Sequence, residues 1–347
     1  VAEEVRYLLA ALGYQSIKEL TGRFDLLSVS SKDAPKTKSL NLEALIKDAV
    51  PPFIDLDNRF EHIIATLNHS IVNDPDIIQA VEENGIVMKS YEIGNTDRSI
   101  GAALSGLITR AHGDSGFEGQ IVLNFNGIAG QSFGAFNAKN VRLTLTGEAN
   151  DYVGKGMHAG EIIIKQAEED KNSSSIMAGN TCLYGATGGR LFVEGVAGER
   201  FAVRNSAAHA VVEGTGDHTC EYMTGGTIAV LGSVGRNFGA GMTGGIAYVL
   251  DEDGDFSGRF ESDEDKVIMP LTTSGESQLL KLIEDHYHLT RSQKAEQILN
   301  NWEHYRDLFV QVVPLSELDN IVLSADPAIV EPILVKVEGE ITVPHTA

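Results

Sequence analysis

Between Pro75 and Pro270 the chain has no proline at all, and over its 347 residues it has only two cysteines, Cys182 and Cys220. Two thiols cannot build a disulfide framework and are too few for a four-thiolate metal or iron–sulfur site; they fit a reducing compartment. No apolar run approaches the ~18 residues of a membrane-crossing helix, and residues 1–30 lack the basic-then-apolar order of a secretion signal. Basic residues are also scarce: 27 Lys and Arg stand against 49 Asp and Glu, a net charge of −22. A field of that sign repels phosphate backbones, and no Lys/Arg cluster interrupts it, which argues against nucleic acid and anionic membranes as partners.

What the chain has in excess is glycine. Of 36 glycines, 28 lie between Gly101 and Gly245, inside the proline-free region. Disordered glycine-rich segments bring Pro or Ser with them and collagen needs a three-residue period, so the remaining reading is an ordered array with many tight turns. The array aligns on Phe125, Leu145, Ile164, Val193, Val212, Val230 and Val249, each with an apolar or small partner two residues earlier: Leu123, Leu143, Ile162, Leu191, Ala210, Ile228 and Ala247. The steps are 20, 19, 29, 19, 18 and 19 residues; the long one contains the polar stretch Glu168–Ser175, which reads as an insertion. A strand recurring every ~19 residues with stacked apolar positions is the signature of a parallel β-solenoid, with glycine supplying positive-φ corners. The fold class expected is mainly β, a right-handed parallel β-helix of about seven rungs with flanking α-helices.

The flanks differ in character. Val1, Val5, Leu8, Leu9 and Leu12 keep helical spacing from the first residue, which reads as a chain cut from something longer, and Ser16 with Glu19 reads as a capping box. Short helices are expected at Leu42–Ala49 and Ile77–Asn84, the second ended by Gly85, and another over Asp97–His112, capping the end of the array. Beyond the acidic run Asp251–Asp265 a helix is expected at Glu276–His288. Thr290 then N-caps a further helix carrying Ala295, Ile298, Leu299, Trp302, Tyr305, Leu308, Phe309 and Val312.

Several motifs match chemistry-bearing patterns without their required setting. Gly239–Gly244 fits a dinucleotide fingerprint, but a strand rather than a helix is expected after it. Gly130-Gln-Ser132-Phe-Gly134 fits a nucleophile elbow but falls between two rungs. His158, His209, His218, His286 and His288 lack metal-ligand spacing, and the acidic run at Asp251 lacks the Glu and flanking helices of an EF-hand. Cys182 and Cys220 read as small core residues, and Asn124, Asn126, Asn137 and Asn140 as turn asparagines.

The strings Asn126–Phe136, Asp151–Met157, Met177–Gly189 and Asn237–Gly245 resemble the carboxy-terminal glycine-repeat domain of the glutamate synthase large chain. The resemblance covers residues 1 to about 315. It implies a division into 1–30, the last helices of an FMN-binding barrel; 31–84, a linker and small mixed segment; 85–270, the β-helix; and 271–315, C-terminal helices; the residues 316–347 lie beyond the resemblance and, with Pro327, Pro332 and Pro344, read as an extended tail. In the complete enzyme it implies a cysteine amidotransferase site, an ammonia tunnel, and an FMN site with an iron–sulfur cluster that adds ammonia reductively to 2-oxoglutarate, with ferredoxin or an NADPH-oxidising small subunit as electron source. The stretch Phe309–Pro314 leans toward the ferredoxin-dependent type. Within this chain the resemblance implies a structural domain, so no catalytic, cofactor-binding or metal residue is assigned. The location implied is cytoplasm or plastid stroma. Two other readings remain open: a separately encoded assembly subunit, similar to the related domain of formylmethanofuran dehydrogenases, and a β-solenoid enzyme acting on polysaccharide.

Overall fold

A computed structural model describes residues 1–28, 66–113, 116–167, 174–261 and 265–320. They belong to two compact units, Val1–Ile64 and Ala65–Ala347. The helix expected at Leu42–Ala49, most of the Glu168–Ser175 insertion and the tail from residue 321 lie outside the described residues.

In the first unit α1 spans Ala2–Leu12 and ends at Gly13 in the left-handed conformation (φ 80°), as a C-terminal glycine does. It buries Leu9, while Tyr7, Leu8 and Leu12 are exposed. The short helix α2 (Ile17–Leu20) follows. Here the capping box is only half formed: the Ser16 hydroxyl donates to Glu19 Oε1 at 3.1 Å instead of accepting a backbone N–H.

The second unit is built on an eleven-stranded mixed sheet flanked by helices. Its strands are β1 (Ile86–Ile93), β2 (Gln120–Ala129), β3 (Val141–Ala149), β4 (Glu161–Lys165), β5 (Ile176–Ala178), β6 (Arg190–Ala197), β7 (His209–Gly214), β8 (Thr224–Val230), β9 (Gly244–Leu250), β10 (Lys266–Pro270) and β11 (Phe309–Pro314). From β1 to β9, omitting the side strand β5, every neighbour is the next strand in sequence and parallel to it. The pairing runs Tyr91, Phe125, Leu145, Ile164, Val193, Val212, Val230, Val249, one residue per strand. All seven positions of the sequence repeat therefore stand side by side. The sequence reading needs two amendments: β1 adds a parallel strand ahead of the first expected rung, and the far end is finished by β11 and β10, both antiparallel.

Along β4 and β6 to β9 both faces of the sheet are buried, which explains the unbroken apolar run Ile162-Ile163-Ile164. One face carries Leu123, Phe125, Leu143, Leu145, Ile162, Ile164, Leu191 and Val193 into the larger core. The other presents Ile163, Phe192, Val211, Ala229 and Tyr248 to the C-terminal helices, among them Leu279 and Ile283 of α7 (Thr273–Thr290). Each aliphatic side chain buried this fully contributes roughly 1.5–3 kcal/mol.

The turns between strands repeat as regularly as the strands. In each, residues i, i+2 and i+4 have positive φ: Ser132, Gly134 and Phe136; Tyr152, Gly154 and Gly156; Thr181, Leu183 and Gly185; Arg200, Ala202 and Arg204; His218, Cys220 and Tyr222; Asn237, Gly239 and Gly241. Alternating left-handed residues turn successive amides to opposite sides. The Tyr152 N–H thus donates to Asn180 O on the next rung at 2.8 Å, while Gly154 N–H donates back to Phe133 O at 2.9 Å.

Local signals set the helix ends with four departures. The helix α3 (Leu67–Val72) is capped by Thr66. Helix α4 (Pro75–Glu83) is capped by Asp74 and stopped by Asn84, itself left-handed (φ 55°), one residue before the expected Gly85. Helix α5 occupies only Ala102–His112 of the segment expected from Asp97, because Ser99 and Ile100 extend the turn ladder by bonding to Gln131 and Gly134. Thr290 is the last residue of α7, its hydroxyl donating to His286 O; Ser292 caps α8 (Gln293–Asn300) instead. The apolar stripe from Ala295 is not one helix: it passes from α8 through α9 (Trp302–Tyr305) into strand β11, so that Phe309 and Val312 pair with Leu250 and Ala247. The residues after β11 form a 3₁₀ segment, Leu315–Asn320, where an extended tail was expected.

Glycine is required where strand bends stack. Gly127 (φ 128°) pairs with Gly147 (φ 134°), and a Cβ on Gly147 would stand 2.0 Å from Gly127 O. Gly147→Ala is expected to lower stability by about 3 kcal/mol or more, combining a strained φ with a backbone clash. Gly185→Asn, where a Cβ meets nothing within 4 Å, should cost less than about 1 kcal/mol, since Asn tolerates this region. Denaturant midpoints of the two variants check the contrast.

Candidate functional site

Register brings ionisable residues together on the helix-covered face. Arg142, Glu161, Arg190, His209 and Thr227 occupy paired positions on β3, β4, β6, β7 and β8. Glu161, 1% exposed, accepts from Arg142 Nε at 2.5 Å and from Arg190 on its other side. Arg190 reaches on to Asp285 of α7 at 2.9 Å, and Lys281 bonds the same carboxylate at 2.7 Å. Alternating charge down one column is favourable cross-strand pairing, and here it also pins a helix to the sheet. One rung further, Glu213 of β7 accepts from Ser292 and lies 3.2 Å from His286 Nε2, all three buried. The His286 ring stacks on Phe192 at 6.2 Å. Among the described residues His286 Nδ1 and Arg190 Nε have no hydrogen-bond partner.

The order of contacts in this cluster is Ser–Glu–His, so the carboxylate, not the imidazole, meets the hydroxyl. A nucleophile needs its base on the hydroxyl, and this arrangement does not supply one. Burial lowers the affinity of His209 for a proton, and Arg190 beside it adds to the effect.

The motif residues are dispersed. Ser132 lies in a turn with strands on both sides, and its N–H donates to Asp151 O at 2.8 Å. Gly239–Gly244 runs straight into β9, so no helix N-terminus is present there to receive a phosphate. His158 is exposed, His218 sits in a turn near Asn237, and His288 is on the helix α7 that carries His286. Among the described residues no three His, Cys, Asp or Glu side chains converge to hold a metal ion. Cys182 and Cys220 are both free and buried, and burial pushes the Cys182 thiol up to about 12. Asn137 donates to Val141 O and Ala159 O, as Asn205 does to Ala208 O and Gly225 O on a later rung. Asn140 donates to Phe117 O and Asn126 to Glu92 Oε2, and Asn124 lines a shallow cavity with Tyr91 and Thr146. In the acidic run, Asp251 accepts from the Phe256 N–H, and Asp253 accepts from Asp255 N–H and pairs with Arg259 at 2.6 Å. That run therefore organises the short helix α6 (Phe256–Arg259).

A second arrangement lies on the outer face of the turns: a groove of about 600 Å³ lined by Tyr152, Lys155, Thr181, Tyr184, Arg200 and Val203. Neither it nor the Glu161 column was visible as a motif, because the residues involved are brought together only by the register.

Residues 68–315 match the family model described as the GXGXG motif. The chain belongs to the GXGXG family. Three curated relatives are similar over most of it: the ferredoxin-dependent glutamate synthase of Antithamnion sp. (51% identical over 324 residues, 91% of this chain and 21% of that protein), a second from Synechocystis sp. (50% over 330, 92% and 21%), and the chloroplastic enzyme of Spinacia oleracea (46% over 331, 94% and 20%). The resemblance to the carboxy-terminal part of a glutamate synthase is thereby established, and the GXGXG chain spans about a fifth of the length of these relatives. Among the described residues no helix is long and apolar enough to cross a membrane.

Two outcomes are expected of the column. Glu161→Gln, which leaves two buried guanidinium groups without their shared carboxylate, should cost about 3 kcal/mol in chemical denaturation. The folded chain holds a proton on His209 less readily than the unfolded chain does. Its contribution is therefore complete above the ordinary histidine pKa and is lost as pH falls through that value toward the depressed one. The stability difference between pH 7.5 and 5.5 should accordingly be smaller in His209→Gln than in the parent.

Proposed function

We propose that the GXGXG chain is the carboxy-terminal scaffold of a ferredoxin-dependent glutamate synthase, whose polypeptide converts glutamine, 2-oxoglutarate and reductant to two molecules of glutamate. In this reading the parallel run from β1 to β9 winds as a right-handed β-helix over 85–270 and braces the amidotransferase and FMN-binding domains. Residues 271–315 lock the helix C-terminally, and residues 1–30 close the FMN-binding barrel. The exposed Tyr7, Leu8 and Leu12 of α1 support the last point, since a barrel helix needs a neighbour on its apolar side. Ferredoxin is the proposed electron donor, and cytoplasm or plastid stroma the proposed location; the spinach relative is named chloroplastic.

The observation that carries the scaffold reading is the parallel ladder that runs strand by strand from β1 to β9, with packing on both faces along β4 and β6 to β9. Its buried ionisable groups are spent on holding helix to sheet. The cofactors of the whole enzyme do not fit the residues here. An iron–sulfur cluster needs three or more converging thiolates, and this chain offers two core cysteines. The glycine-rich turn that might have met a flavin phosphate leads into a strand. No catalytic step is therefore assigned to this chain.

The reading is tested by excising one repeat, His209–Gly226, from the complete polypeptide, so that Thr227 takes the place of its register partner His209. One coil fewer shortens the brace by ~4.8 Å while keeping the ladder continuous. Glutamine hydrolysed per glutamate formed is expected to rise several-fold. An unchanged ratio at full turnover refutes bracing.

A further inference from the structure

The third position of the turn repeat runs down the outer face as Phe136, Gly156, Gly185, Arg204, Tyr222 and Gly241. Two of its glycines follow from their neighbours: a Cβ on Gly156 would come 2.8 Å from the Phe136 ring, and one on Gly241 would come 2.5 Å from the Tyr222 ring. Gly185 has no such neighbour. Its Cβ would meet nothing within 4 Å, and its φ of 63° matches those of Arg204, Tyr222 and Phe136, which carry large side chains in the same conformation. Packing among the described residues does not account for this glycine. Together Gly156 and Gly185 leave a gap two rungs wide, and that gap is the groove lined by Tyr152, Lys155, Thr181, Tyr184, Arg200 and Val203.

Charge singles out the same place. Over the whole chain carboxylates outnumber Lys and Arg by 49 to 27. Around the groove Lys155, Arg200 and Arg204 stand together; Arg200 engages Glu221 at 2.7 Å, while Asp151 and Asp217 on the same turns are taken up by the Asn180 N–H and by Arg236. Lys155 and Arg204 pair with no carboxylate among the described residues. They lie instead over the rings of Tyr152 and Tyr222, at 5.5 and 6.0 Å from the centroids. Tyr152 and Tyr184 meet edge to face with centroids 6.5 Å apart, forming an aromatic wall beside the cations. Arg200 is half exposed, so the positive charge is available to a ligand.

We propose that this groove receives an acidic, extended segment from another part of the same polypeptide. The inference rests on the reading that the chain belongs to a longer protein, of which it spans about a fifth in its relatives. The spacing suits a peptide better than a small anion. Lys155 and Arg200 stand two rungs apart, about 10 Å at ~4.8 Å per rung, too far for one small anion to bridge, whereas an extended chain rising about 3.3 Å per residue separates carboxylates three residues apart by the same distance. Tyrosine faces and Val203 then take the apolar parts of such a segment, while the cations take its carboxylates.

The test uses the complete polypeptide with p-benzoylphenylalanine in place of Tyr184, irradiated and digested, with the linked peptide read by mass spectrometry. The expected product is an intramolecular link to a peptide rich in Asp and Glu, its yield falling about tenfold when Lys155→Glu and Arg200→Glu are added. A second probe, p-benzoylphenylalanine in place of Tyr152 on the same groove, guards against local disturbance at Tyr184. No link from either probe, a link to a peptide without carboxylates, a link only to added ferredoxin or another separate protein, or a yield indifferent to the charge reversals would each overturn the proposal. Failure here is distinguishable from failure of the scaffold reading. If excising one repeat uncouples turnover while neither probe links an acidic segment, the groove proposal falls and bracing stands; the reverse pattern sinks bracing alone.

Discussion

Residue-for-residue register between parallel strands is the constraint on which the rest of the GXGXG chain depends. Because side chains alternate faces with period two, a slip of one residue would send every inward ladder position outward. Phe125, Leu145, Ile164, Val193 and their counterparts stack in one column only while that register holds. The same register places Arg142, Glu161 and Arg190 in a second column and the left-handed turn residues in further ones. Core, ion network and turns are thus consequences of one geometric rule, and none could shift without the others.

That rule also sets what was legible beforehand. Seven strand positions could be read because their spacing near 19 and their alternation agree, two independent signals at each site. The strand β1 lacked both. Its half-buried Lys89 and exposed Glu92 break the apolar pattern, and no glycine-rich turn of the repeating kind precedes it; Lys89 is instead held by Asp74 and Asp76 beside α4. The strand β11 was hidden differently. Leu308, Phe309 and Val312 continue a helical spacing from Tyr305, yet Phe309, Gln311 and Val313 equally mark one face of a strand. Pairing with β9, unavailable to a local reading, decided between the two periods. Thr290 lost the capping role to Ser292 for a related reason: the helix α7 runs on until Arg291, whose left-handed φ of 60° ends it.

The polar features were less legible still, because charge carries no period. Arg190 and Asp285 are 95 residues apart, and nothing about either marks the other. What could have hinted at the column is the repeat alignment itself, since Arg142, Glu161, Arg190 and His209 each stand three residues before a ladder position. Conversely, Ser132 and Gly239–Gly244 resembled sites in one dimension only. A motif for nucleophile or nucleotide is a statement about a strand meeting a helix, and here strands meet turns that return to strands.

Glycine was expected to supply the corners, and it does so at bends such as Gly127, Gly147, Gly160, Gly189 and Gly195, but in the six repeated turns it holds only a third of the left-handed positions. Of the eighteen left-handed positions in the six repeated turns, six are Gly and the rest include Leu183, Ala202, Cys220 and Tyr222. An L-residue in this region costs on the order of 1 kcal/mol, so the turns hold a distributed strain that a lone turn would relax. What opposes the relaxation is the alternation of amides: Thr181 N–H reaches forward to Glu199 O while Leu183 N–H reaches back to Val153 O. Each turn therefore satisfies the polar groups of both neighbours, and loosening one would strand buried donors and acceptors on two others. A stack so coupled resists local opening and transmits displacement along its length as a body. That mechanical character, more than any single side chain, is what the proposed brace between distant domains requires.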